Sequence, residues 1–203
     1  MNSIQSFFSV VSHGGFMMVP LLLSAFIALT IIFERLYLLK KAFAISSEER
    51  KELEQKISAK DFTKINSGHS NHPAYAVLKI GIKHYQDSYE SMEQVMLHET
   101  QRWIPVLEKR LEILDTIITA APLMGLLGTI TGMMSSFQIL SQTGVNEPNA
   151  VTGGVGEALI ATATGLIIAL VCLVFFNYFN AVVKAELQCI ESLANDLLET
   201  KSK

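Results

Sequence analysis

Glu157 is the residue whose type and place could do chemistry. It heads an apolar run, Gly153 to Asn177, and no other charged residue follows it until Lys184. A carboxylate in a membrane layer costs about 2.5–3.5 kcal/mol at the bilayer centre and less near the interface. Spanning a membrane does not require one, so Glu157 is a candidate for moving charge. Thr162 and Thr164 follow it in the same run, and Thr129 lies in an earlier one. On an ideal helix Thr164 falls nearly under Glu157, about two turns along, while Thr162 points far round the other side. Each threonine taken alone reads as a hydroxyl bonded to its own i−4 carbonyl. Together with Glu157 they suggest a polar track through a dry layer. The plainer reading of Glu157 is an interfacial carboxylate steadied by a helix dipole and lipid headgroups. Hydropathy leaves both readings open.

The elements that must hold these groups are membrane helices. Half of the 203 residues are hydrophobic and only 17% are charged, and the excess is gathered in three blocks long enough to span. The expected division is a periplasmic amphipathic segment at 1–15, a first span at 16–39, a cytoplasmic helical region at 40–112, a second span at 113–140, a periplasmic connection at 141–152, a third span at 153–180 and a cytoplasmic C-terminal helix at 181–203. Pro20 falls in the first turn of its span, where a missing N–H costs little. A long helix is expected from about Ser88 through Leu111 into the second span, bent at Pro105 and kinked at Pro122. In the tail, Leu187, Ile190, Leu193, Ala194, Leu197 and Leu198 recur at helical spacing, a stripe expected to pack on the 42–112 region.

Orientation follows from the cations. Arg35, Lys40, Lys41, Arg102, Lys109, Arg110 and Lys184 flank the spans on one side, and residues 1–16 and 141–152 carry no Lys or Arg. The positive-inside rule puts the N-terminus outside and the C-terminus in the cytoplasm. No Lys or Arg precedes the first block and no small-residue cleavage site follows it, so it is expected to remain as a helix.

Small residues line two of the spans. Gly125, Gly128 and Gly132 in the second, and Ala158, Gly165 and Ala169 with Thr162 in the third, recur at three- and four-residue steps. Such residues let helices approach closely in lipid, and tight packing within one subunit accounts for them without a further role. Glu34 and Arg35 fit a boundary position, snorkelling or pairing with groups on neighbouring helices. The loop at 66–73, NSGHSNHP, holds His69 and His72 at HxxH spacing; without further ligands in view it reads as a polar loop rather than a metal site. Cys172 and Cys189 lie in different surroundings and do not form a disulfide framework. The small net charge of −3 gives no footprint for nucleic acid, and no enzyme, cofactor or metal motif is present.

Three stretches carry a resemblance. APLMGLLGTITGMMSSF (Ala121 to Phe137) is similar to the second-span motif of the MotA/TolQ/ExbB proton-channel family. GGVGEALIATATGLIIAL (Gly153 to Leu170) is similar to its third-span motif. Glu-Arg-Leu at 34–36 is similar to the end of its first span. The chain most resembles the ExbB branch. That resemblance implies an all-α, polytopic inner-membrane protein with three transmembrane helices, the long second and third extending into the cytoplasm, pentameric around a central pore. A dimer of an ExbD- or TolR-type single-span partner, bringing a membrane Asp, would occupy the pore, and a TonB-like protein would carry the work to outer-membrane transport. Glu157, Thr129 and Thr162 match the family's acidic and threonine positions on the ion path; helix geometry adds Thr164. No proline follows Ala169 in Leu170-Val171-Cys172, which implies a straighter third helix and argues against the flagellar-stator branch. A TolQ-like subunit of the Tol–Pal envelope system, or a non-conducting scaffold for the partner, are the alternative roles.

Overall fold

The computed structural model describes residues 15–42, 47–66, 72–143 and 148–202. Their regular structure is helical: α1 (Met18–Ala42), α2 (Ser47–Ser58), α3 (Phe62–Asn66), α4 (Pro73–Lys83), α5 (Tyr89–Leu107), α6 (Leu111–Thr143) and α7 (Pro148–Ser202). The amphipathic segment expected before Gly15, and His69, lie outside the described residues. Three helices, α1, α6 and α7, are long and apolar enough to cross a membrane.

Local chemistry sets the boundaries. α2 begins with Glu48 and Glu49 in its first turn, where carboxylates meet the positive end of the helix dipole. It ends in a Schellman turn: Lys60 is left-handed at φ 54, its N–H donates to the Ile57 carbonyl, and the Asp61 N–H donates to Lys56. Glycine usually fills that place. α5 opens on Ser88, whose hydroxyl accepts the Ser91 N–H.

Two boundaries differ from the sequence expectation. The helix expected to run unbroken into the second span stops at Leu107, two residues after Pro105, and resumes at Leu111. Pro105 removes one backbone donor, Glu108 caps α5 with its N–H on the Ile104 carbonyl, and Arg110, directly before α6, adopts φ 65, outside the helical range. The connection expected at 141–152 is largely helical, since α6 reaches Thr143 and α7 starts at Pro148. A proline at the first helical position loses no bond that the helix would have made. α7 then runs unbroken for 55 residues, so the third span and the C-terminal helix are one element.

The chain divides into two compact units. One holds α1 up to Phe33, α6, and α7 up to Asn177; the other holds Glu34 to Lys109 and α7 from Tyr178 onward. In the second unit the C-terminal stripe packs as its spacing requires. Ile190, Leu193, Ala194, Leu197 and Leu198 form one buried cluster with Leu53, Ile57, Ile65, Val77, Leu78, Met92 and Met96, and Leu187 packs at its edge.

Arg35, His72 and Thr100 are polar residues buried in this unit. Arg35, 1% exposed, donates from Nη1 to the Leu107 carbonyl at 3.2 Å. It thereby places a cation on the carbonyl end of α5, whose last turn has no basic residue of its own. His72, expected in a polar loop, is instead 4% exposed and caps α4. Its Nδ1 accepts the Ala74 N–H at 3.1 Å, and its Nε2 stands 3.4 Å from Glu186 Oε2. Proline at position 73 marks the helix start, but a histidine cap leaves no common sequence signal. Leu193 is fully buried, so Leu193→Ala should cost about 2–5 kcal/mol. Thermal unfolding in detergent should register it, with the partly buried Leu187→Ala costing clearly less.

Candidate functional site

The candidate groups all lie in the unit formed by α1, α6 and the first part of α7. Its outward face is apolar: Phe26, Leu123, Met134, Phe137, Leu159 and Leu170 are all exposed. Such a surface suits lipid or neighbouring protein and not water.

Second and third spans meet backbone to backbone along their small residues. A β-carbon at Gly125 would stand 3.0 Å from the Thr162 Cα and 3.1 Å from the Ala161 carbonyl oxygen. One at Gly128 would meet the Ala161 methyl at 2.6 Å, and one at Gly132 the Ala158 methyl and the Gly154 carbonyl oxygen, both at 2.9 Å. Gly165 in turn faces the Ala121 carbonyl, and Gly154 faces the Ser136 hydroxyl. Ala158, Ala161 and Ala169 are buried. Both stripes are therefore used for packing within one chain. Partners such as Ala161, Gly154 and Ser136 belong to the same seam, and their three- and four-residue steps were the available signal.

Each threonine hydroxyl has its proton committed to a backbone carbonyl. Thr129 donates to Leu126 at 2.7 Å, and Thr164 donates to Ile160 at 2.8 Å; these are local bonds within their own helices. Thr162 differs: it donates across the seam to the Gly125 carbonyl at 2.9 Å. Facing the small stripe, as helix geometry requires, it ties the third span to the second. A hydroxyl so committed keeps its oxygen lone pairs and can still accept a hydrogen bond.

Glu157 lies on α7, half-buried. Among the described residues no hydrogen bond or ion pair engages its carboxylate, and no cluster of three metal-ligating side chains occurs anywhere. The carboxyl instead packs against the backbone of Gly15, just before α1. Thr129, Thr162, Thr164 and Glu157 thus share one unit, but no hydrogen bond joins the carboxylate to any of the three hydroxyls.

Three helices long and apolar enough to cross a membrane, with a carboxylic acid in the third that has no bonding partner among the described residues, define a multi-spanning membrane protein. Comparison with known proteins names the group more closely. The MotA/TolQ/ExbB proton channel family matches residues 69–192. The ExbB-like 3 biopolymer transport protein of Synechocystis sp. is 30% identical over 198 residues, covering 88% of this chain and 87% of the relative. The biopolymer transport protein ExbB of Xanthomonas campestris is 33% identical over 108 residues, 53% of this chain and 43% of the relative. That of Aquifex aeolicus is 32% identical over 114 residues, 56% and 76%. The chain belongs to the MotA/TolQ/ExbB proton channel family.

The seam yields a prediction. Gly165→Val should force a side chain into the Ala121 carbonyl and cost about 1–3 kcal/mol or more. Thr162→Val keeps the shape and removes one interhelical bond, costing about 0.6–2 kcal/mol. Melting of the purified protein in detergent should rank Gly165→Val as the more damaging.

Proposed function

We propose that this chain is the ExbB-like subunit of an inner-membrane motor that conducts protons with a single-span partner and energises outer-membrane transport. One observation carries the reading: Glu157, in the third span of a member of this family, is a carboxylate with no ion-pair partner among the described residues. Taking up and releasing a proton switches a carboxyl group between neutral and charged, which changes the local electrostatic energy in an apolar layer. A charge that appears and disappears can alternately attract and release an oppositely placed group on a neighbouring helix.

In this reading five copies surround a pore, and a dimer of an ExbD- or TolR-type partner stands in it with its own membrane Asp. Thr129 and Thr164 offer hydroxyl oxygens that accept hydrogen bonds from water along the ion path. Thr162 holds the second and third spans in register beside it. A TonB-like protein receives the work. The N-terminus lies in the periplasm and the C-terminus in the cytoplasm, in keeping with the distribution of Lys and Arg.

The test is complementation in a strain lacking its own ExbB-type protein, with the single-span partner supplied. Wild type should restore growth on a scarce iron complex. Glu157→Ala and Glu157→Gln, expressed to the same level, should reduce growth to the level of the empty vector, because neither carries a proton-exchanging group. Full growth with Glu157→Ala would leave a scaffold role in place of conduction. Restored detergent resistance without iron-dependent growth would point to a TolQ-like circuit.

A further inference from the structure

Gly15 is built into the surroundings of Glu157 in a way that no other described glycine shares. It adopts the left-handed backbone, φ +68, and its carbonyl accepts the Met18 N–H at 3.0 Å, forming the turn from which α1 starts. The direction in which a side chain would leave Gly15 is filled by the Glu157 carboxyl. Oε1 occupies the place of a β-carbon, with Cδ at 2.7 Å and Cγ at 3.1 Å from it. The other described glycines meet backbone, methyl, thioether, leucine or hydroxyl atoms, or nothing. Two separate features therefore bear on a side chain at residue 15: the backbone conformation, which L residues rarely adopt, and the carboxyl, which an added methyl would push aside.

We propose that Gly15 is a positioning residue for Glu157: the bare backbone at the head of the first span forms a recess that holds the carboxyl in place. This rests on the reading of Glu157 as the proton-exchanging group and extends it. The first span, and not the second and third alone, then sets how Glu157 is presented to its proton donor. Filling the recess displaces the carboxyl without removing it, which separates position from chemistry. Shortening the acid by one methylene, as in Glu157→Asp, withdraws it from the recess and makes room for a methyl group.

The experiment is a double-mutant cycle on the full chain in membranes, with the single-span partner present. Labelling of residue 157 by dicyclohexylcarbodiimide, which attacks protonated carboxyl groups in apolar surroundings, is followed by mass spectrometry. Thermal unfolding of the same preparations reads the coupling by a second route. Gly15→Ala should raise the labelling rate of Glu157 by about threefold or more and lower the unfolding temperature; in the Glu157→Asp background the same substitution should change labelling by less than about twofold and cost less stability. Gly153→Ala, where an added methyl meets nothing within 4 Å, is the control and should match wild type. If Gly15→Ala fails to accumulate, the double variant should accumulate like Glu157→Asp alone. Equal effects of Gly15→Ala in both backgrounds, or equal loss of both proteins, would overturn the proposal, because backbone strain alone would then account for them. None of these readouts depends on transport, so a conduction failure of Glu157→Ala is judged separately.

Discussion

The close crossing of the second and third spans is the constraint on which the rest of the membrane unit depends. At Gly125, Gly132 and Gly165 the approaching atoms are backbone or methyl groups at distances that admit no side chain. In lipid the hydrophobic effect offers little to hold apolar helices together, so contact area and bonds such as Thr162 to Gly125 must do so. Once the seam is fixed, the large residues Leu123, Met134, Leu159 and Leu170 are turned outward. The rotational setting of Glu157 on α7 is fixed by the same seam. The acid is thus placed by the glycines of the seam as much as by the groups that touch it.

The second unit is organised on a different principle. There the C-terminal part of α7 presents Ile190, Leu193, Leu197 and Leu198 to short helices, and apolar burial holds the cluster together. Two of its buried polar side chains act on helix ends. Arg35 meets the carbonyl end of α5 and His72 meets the amide end of α4. Both ends expose backbone groups that would otherwise be stripped of water without a partner. Bringing one cation and one imidazole to these places satisfies part of that demand at buried positions.

Much of this was legible in the sequence because it depends on period and length. Three apolar runs gave three helices, a stripe of leucines gave the packed face of the tail, and small residues at three- and four-residue steps gave the seam. Three features were hidden for physical reasons. The break between α5 and α6 holds Arg110 in a left-handed conformation usually left to glycine, so its residue type gave no warning. His72 looked like loop polarity because capping depends on where its ring nitrogen points. Gly15 meets Glu157 from 142 positions away in the chain, and no local pattern encodes such a meeting. For the site, sequence supplied the candidate residues, while geometry separated Thr162, which bridges helices, from Thr129 and Thr164, which bond locally.

The unbroken course of α7 from Pro148 to Ser202 limits how this chain can vary in length. Along one continuous helix every residue advances the rotation by about 100°. Inserting or deleting a single residue between Ile190 and Leu193 would swing Leu193, Leu197 and Leu198 away from the cluster that Ile190 joins. Changes of about seven residues would nearly restore the angle but shift the stripe along the axis by roughly 10 Å. Length variation is far better absorbed between α2 and α5, where turns already interrupt the helices. Among related chains, segments joining these short helices should therefore differ in length, and the stretch from Ile190 to Leu198 should keep its residue count.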